Sequence, residues 1–213
     1  MNILDSNNEV YLAGFFKTKF EHDYNIGDMI FLSAQMEVMR LSKETDMIKI
    51  VVPEDMIPYG TDFTDVYAEV YGSYRTYKKD IEGRKHQVPS ILAKDVVPWK
   101  NCLLPKISAT KNNIIHLQGT LQCKPIFRTT PKKREITELV IAVERNSGKY
   151  DYIPCIAWNE NAATAAKFKV NNEIQVSGRI QSRIYTQNGK PYQVNEISIR
   201  KLGLVGSGPE LIA

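Results

Sequence analysis

The chain has 213 residues, 43% of them hydrophobic, which is enough to build two small cores. It holds no apolar run long enough to cross a bilayer, and its start, Met1-Asn2-Ile3-Leu4-Asp5-Ser6-Asn7-Asn8, has neither the basic nor the apolar segment of a secretory signal. The net charge of +4 hides an asymmetry: residues 1–105 carry 12 Lys and Arg against 16 Asp and Glu, whereas residues 106–204 carry 16 against 7. That second half has the electrostatic footprint of a protein that binds a polyanion.

In chain order, strand-like runs cover Ile30–Val38, Met47–Val52 and Asp65–Gly72. Pro58 and Gly60 interrupt the place where a helix would fit. Tyr74–Lys79 leads into the turn Glu82-Gly83-Arg84-Lys85, and this first unit closes near Val97. Its Tyr67, Tyr71, Tyr74 and Tyr77, with Arg75, Lys78 and Lys79, fit two readings: a binding surface, or packing in a core and subunit interface. The acidic balance of this half works against phosphate and favours the structural role. From Pro98 to Lys111 the strand pattern breaks at Pro98, Pro105 and the polar Ser108–Asn113. The apolar Trp99 and Leu103-Leu104 within this join are expected to dock onto a neighbouring domain.

Strand-like runs resume at Ile114–Gly119, Glu138–Val143, Tyr150–Trp158 and Glu173–Gly178, followed by a hairpin over Arg183–Ile199. Asn188-Gly189 supplies the positive φ angles its tight turn needs. Between the third and fourth runs, the alanines of Asn159–Phe168 favour a helix and its leading asparagines can cap it. Three strands, a helix and two strands is the order of an OB-fold barrel. Asn8-x-x-x-Leu12-x-Gly14 repeats the spacing of Asn113-x-x-x-Leu117-x-Gly119, so the first half reads as a second, degenerate copy. The expected fold is all-β: two tandem five-stranded OB-fold barrels, the second with a short helix between strands three and four. The expected boundaries are 1–97 for the first barrel, 98–112 for a linker, 113–205 for the second barrel and 206–213 for a short tail.

A single nucleic-acid strand offers phosphates along one side and base faces on the other, so its binder needs a basic groove with aromatic platforms. Tyr152 and Trp158 are six residues apart on one strand and project from one face, while Ile153, Cys155 and Ala157 supply the opposite, apolar face. Lys132-Lys133-Arg134 lies in the connection between the first two strands of the second barrel, as a solvated turn or as a phosphate contact. Lys124, Arg128, Lys149, Arg179, Arg183 and Lys190 are spread through the same domain.

Five elements in order carry a specific resemblance. They are Asn113-x-x-x-Leu117-x-Gly119, Pro125-x-x-Arg128-x-Thr130-Pro131, Ala142-Val143-x-Arg145, Tyr152-x-Pro154-Cys155-x-Ala157-Trp158 and Gly178-Arg179-Ile180-Gln181-x-Arg183-x-Tyr185. Together they resemble the bacterial single-stranded DNA-binding protein family over Asn113–Leu202. The resemblance implies base-stacking roles for Tyr152, Trp158 and Tyr185, and a basic position on the binding hairpin for Arg183. A further stacking aromatic of the family has no counterpart, since Ser147 falls near its place in the short loop Asn146-Ser147-Gly148. In the first half Met47 and Pro53 stand where the second has Tyr152 and Trp158.

The implied function is coating single-stranded DNA in replication, recombination or repair, with RNA as a second strand that the same stacking accepts. Family members usually assemble four OB-folds, which implies a homodimer here. The usual acidic, aromatic partner-recruiting tail is replaced by Gly206-Ser207-Gly208-Pro209-Glu210-Leu211-Ile212-Ala213. That leaves open an alternative: an OB-fold adaptor of a replication-restart or mobile-element system that acts mainly through replication or repair proteins.

No catalytic residue or cofactor is expected. The chain has no phosphate loop, no His-Glu-x-x-His and no nucleophile beside an evident base, and Asp62, Asp65 and Glu69 read as a solvated strand edge. Cys102, Cys123 and Cys155 have no metal-ligand spacing with His22, His86 or His116, and scattered thiols fit a reducing cytoplasm.

Overall fold

A computed structural model describes residues 7–81, 84–99, 108–187 and 190–206, and within them the side chains of all but 78–81, 84–87, 184–187 and 190–193. The chain forms two compact units: Val10–Ile114 with Ser182–Val194, and Met1–Glu9, Ile115–Gln181 and Asn195–Ala213.

The first unit is built from β1 (Asn8–Phe16), β2 (Glu21–Ile26), β3 (Met29–Met39), β4 (Thr45–Pro53), β5 (Tyr67–Ile81) and β6 (Arg84–Pro98). Strand β1 pairs with β5 over Val10–Phe15 and with β3 at Phe15 and Phe16. Antiparallel β3–β4 and parallel β4–β6 at Ile50↔Ile91 complete the barrel. Alternation sends Ala34, Met36, Val38, Ile48, Ile50 and Val52 into the core. Gly14 stands where β1 closes on β3: a Cβ there would lie 2.2 Å from the Glu37 carbonyl oxygen, so the motif glycine is a steric requirement. Instead of an α-helix, a single 3₁₀ turn at Glu54–Met56 follows β4, where Pro58 and Gly60 break the pattern.

The second unit repeats this plan with β7 (Asn113–Leu121), β8 (Ile126–Thr129), β9 (Glu135–Glu144), β10 (Tyr150–Trp158), α1 (Glu160–Ala165), β11 (Glu173–Gln187) and β12 (Lys190–Leu204). Strand β7 pairs with β11 and, at Thr120 and Leu121, with β9, while β10 runs parallel to β12 at Cys155↔Ile197. Gly119, 105 positions after Gly14, meets the same constraint, with the Ala142 carbonyl oxygen 2.4 Å from any Cβ. The helix closes the barrel with the fully buried Ala162 and Ala165, and the Thr137 hydroxyl donates to the Ala162 carbonyl at 2.7 Å.

Each unit also buries one carboxylate under an arginine six residues away in sequence. Asp46 is fully buried against Arg40, with a 3.0 Å bond from Nε to Oδ2. Asp151 is fully buried against Arg145, with 2.8 Å between the same atoms. The bond to Asp46 raises the Arg40 pKa against the opposing pull of burial. Asp46 also accepts the Ser182 amide at 2.7 Å, and Arg40 donates to the Ser182 carbonyl at 2.7 Å, bonds internal to the unit that includes Ser182–Val194.

Trp99 docks as its apolar character requires. Its ring packs edge-on against Tyr67, and its Nε1 donates to Glu69 at 3.1 Å. The same carboxylate accepts the hydroxyls of Tyr11 and Tyr71 at 2.8 and 2.9 Å. Burial, then the bond to Glu69, pushes the Tyr11 phenol far above its ordinary range.

Several expectations need correction. Glu173–Gly178 and the first arm of the hairpin form one strand, β11, because nothing between Arg179 and Ser182 breaks the alternation and Ile180 continues the buried face. The short edge strands β2 and β8 add to the five expected in each barrel. Asn159 precedes α1 with φ +52° and makes no side-chain cap, while the Asn161 amide donates instead to the Arg200 carbonyl at 2.9 Å. Asp65 lies in a left-handed turn before β5, whereas Tyr74, at 1% exposure, takes the core position that the favoured structural reading gave it. The turns at Glu82-Gly83 and Asn188-Gly189, Leu103-Leu104, Cys102 and the tail beyond Gly206 lie outside the described residues.

Candidate nucleic-acid interface

The sequence of β10 sorts itself by period two. Asp151, Ile153, Cys155 and Ala157 are buried, and burial raises the Cys155 thiol well above its usual range. Tyr150, Tyr152 and Pro154 are exposed on the other face, with Ile156 as the exception to the alternation, buried at 6% on that same face, and Trp158 half-buried at its end. Register places Tyr152 opposite Ala142 and Trp158 opposite Ile136, and directly opposed residues share a face. Ala142 is too small to cover a neighbouring ring, so Tyr150 and Tyr152 stand 46% and 37% exposed.

Arg128 joins this face from β8, opposite Ile136. It forms an ion pair with Glu138, so an acidic side chain shares the aromatic face and tempers that cation. Lys132, Lys133 and Arg134 are exposed in the β8–β9 turn, which is tightened by Thr130 N to Arg134 O at 2.8 Å and a left-handed Lys133. Because Asn159 N donates to Glu135 O, that basic turn sits at the Trp158 end of the sheet. Lys149 is exposed at the opposite, Tyr150 end, in the turn closed by Arg145 N to Lys149 O at 2.7 Å, and Lys124 is exposed just before β8. The face therefore carries rings toward both ends of the strand, Pro154 and the buried Ile156 between them, and cations beyond each end.

Other predicted residues lie elsewhere. Arg179 is half-buried on β11, separated from β10 by β12. Burial and then the Arg179 charge lower the Arg200 pKa, so two guanidiniums are close neighbours. Arg183 is exposed further along β11, within the segment that groups with the first unit. The side chains of Tyr185 and Lys190 lie outside the described residues.

Sequence reasoning missed Tyr150, Arg200, Glu138 and the exposed pair Ile126 and Phe127 on the β8 edge. Period two could have found Tyr150, two places before Tyr152. Among the described residues no group of three or more His, Cys, Asp and Glu is placed to hold a metal ion. Asp62 and Asp65 are instead separately paired, with Lys19 at 3.1 Å and Lys17 at 2.5 Å. No helix among the described residues is long and apolar enough to cross a membrane.

Residues 112–205 match the family model of the single-strand binding protein family. Two proteins named single-stranded DNA-binding protein 2, from Streptococcus agalactiae serotype III and serotype V strains, are 26% and 24% identical over 102 residues, 45% of this chain and 78% of each relative. The wild-type single-stranded DNA binding protein of Thermus aquaticus superposes with a TM-score of 0.73 at 18% identity, covering 97% of this chain and 96% of that one. A deletion mutant of the same Thermus protein gives 0.71 at 17% identity, over 96% of this chain and 98% of that one. The structural likeness runs through both barrels and speaks for their fold.

Proposed function

We propose that this chain, whose residues 112–205 match the family model of the single-strand binding protein family, binds single-stranded DNA and coats it during replication, recombination or repair. The observation that carries the reading is the outer face of β10, where exposed Tyr150 and Tyr152 and half-buried Trp158 lie between basic turns at both ends. Bases stack on the rings, and Lys124, Lys132, Lys133, Arg134 and Lys149 neutralise phosphates along the path. Every base has a π-face, so binding is tolerant of sequence and weakens with salt. Arg179, Arg183, Tyr185 and Lys190 are further candidates for strand contacts in this reading.

The first barrel acts mainly as framework, since its acidic balance works against phosphate. The protein works without catalysis or cofactor, in the cytoplasm, as a homodimer that brings four barrels together. RNA is a weaker alternative ligand, and recruitment of replication or repair proteins is secondary.

The test is a tryptophan-fluorescence titration with oligothymidine, a matching duplex and oligouridine at two salt concentrations, beside Trp158→Ala and Trp99→Ala. Salt-sensitive quenching by oligothymidine that survives Trp99→Ala and is lost in Trp158→Ala supports the coating role. No response to any ligand refutes it and gives first place to the adaptor reading.

A further inference from the structure

On the first barrel, the edge strand β2 lays an aromatic ring against the face equivalent to the β10 surface, where the edge strand β8 of the second barrel places Arg128 instead. Phe31 belongs to the outer face of β3, opposite Pro53, yet is only 7% exposed. The ring of Tyr24 on β2 lies flat upon it, with centroids 4.9 Å apart and an 18° interplanar angle. That is the geometry of a base on an aromatic platform. Tyr77 of β5 flanks the stack, 6.0 Å from Tyr24.

A cation sits beside these rings. Lys49 Nζ donates to the Tyr77 hydroxyl at 2.6 Å and lies 5.2 Å from the centre of that ring. Its third partner is Asp23 Oδ1 at 2.7 Å, and the two side chains are only 16% and 11% exposed. Asp23 is the extra residue of a β-bulge between His22 and Tyr24, and the bulge aims the carboxylate at the lysine. Among the described residues its Oδ2 is buried without a hydrogen bond, and Lys49 is the partner of its Oδ1. One strand thus supplies a flat ring to an aromatic platform and an anion to a lysine, the two groups that a nucleotide would bring.

We propose that Phe31, Tyr77 and Lys49 form a second single-strand subsite, two rings for a base and one ammonium for a phosphate, which β2 holds closed with Tyr24 and Asp23 in the ligand's place. The proposal rests on the single-strand reading above and goes beyond it by giving the first barrel a latent binding role. Strand β2 is suited to move: it is a six-residue sheet edge, mostly exposed, bonded to β3 on one side. Closure fits the acidic balance of this half, because the subsite opens only when a strand already held by the second barrel supplies a high local concentration.

The experiment uses the full chain and a long labelled oligothymidine, followed by anisotropy across a salt series. Asp23→Asn keeps the shape and frees the ammonium. It is expected to tighten binding about threefold or more at low salt and to steepen the slope of log K against log salt by about 0.7, the share of one phosphate contact on a single strand. Adding Lys49→Ala to Asp23→Asn should cancel both changes. Tyr24→Leu, which uncovers Phe31, should also tighten binding and gives a second route if the first variant folds poorly. Affinity and slope equal to the parent in both Asp23→Asn and Tyr24→Leu, or a gain that survives Lys49→Ala, overturns the subsite. Failure of the parent protein to bind oligothymidine would instead overturn the coating role itself.

Discussion

In the second barrel the outer face of β10 carries exposed Tyr152 and Pro154, buried Ile156 and half-buried Trp158, whereas the same strand of the first barrel, β4, carries Met47, Lys49, buried Val51 and Pro53, with Lys49 paired to Asp23 of β2. Beneath those faces the barrels are alike. Gly14 and Gly119 admit the same close approach, and Asp46 with Arg40 and Asp151 with Arg145 are buried in the same way. The contrast follows from period two: alternate residues facing the core are constrained by packing, while those facing outward can diverge without cost to the fold. A duplicated barrel can therefore keep its scaffold and redistribute its binding surface.

The shared scaffold predicts the largest effects. Asp46→Ala and Asp151→Ala each take the buried carboxylate from a partly buried arginine and should destabilise the chain by about 3 kcal/mol, measured by urea unfolding. Destabilisation in one variant without the other would break the likeness. Gly14→Ala and Gly119→Ala should follow at about 1–3 kcal/mol, since a carbonyl oxygen stands in the way of the new methyl.

Charge sharpens the contrast between faces. Replacing Lys132, Lys133 and Arg134 with alanine should lower the salt dependence of oligothymidine binding by about 0.7 in slope for every phosphate that one of these side chains neutralises. The unfolding midpoint should hardly change, because all three side chains are exposed. The smallest effect belongs to Asp62. Bonds from the Thr64 side chain and amide, then Lys19, lower its pKa to about 2. Its contribution to stability is thus complete above the ordinary carboxylate range and lost as pH falls through about 2. NMR titration of the carboxyl checks this, and a midpoint near the ordinary value of about 4 would contradict it.

The barrel plan was legible because its signals are local. The spaced Asn, Leu and Gly of both copies, the alternation of β10 and the Ala-rich helix each follow from a few neighbouring residues. The residue set around Trp158 was legible for the same reason, since period two assigns Tyr152 and Trp158 to one face without any tertiary contact. What stayed hidden depends on partners distant in sequence. Strand β8 is four residues long and gains its identity only by pairing with β9. Arg128 reads as a free cation until Glu138 is seen beside it, and the nearness of Arg200 to Arg179 arises only from the sheet. Tyr24, in a stretch with no strand signal, gives no hint that it covers Phe31.

The most direct test of the central claim is equilibrium binding of oligothymidine to the parent chain, Trp158→Ala and Pro53→Ala, the same strand position in the two barrels. If the second barrel carries the open stacking face, Trp158→Ala costs about 1–3 kcal/mol of binding free energy and Pro53→Ala stays close to the parent. Equal weakening in both variants, or none in Trp158→Ala, would contradict it.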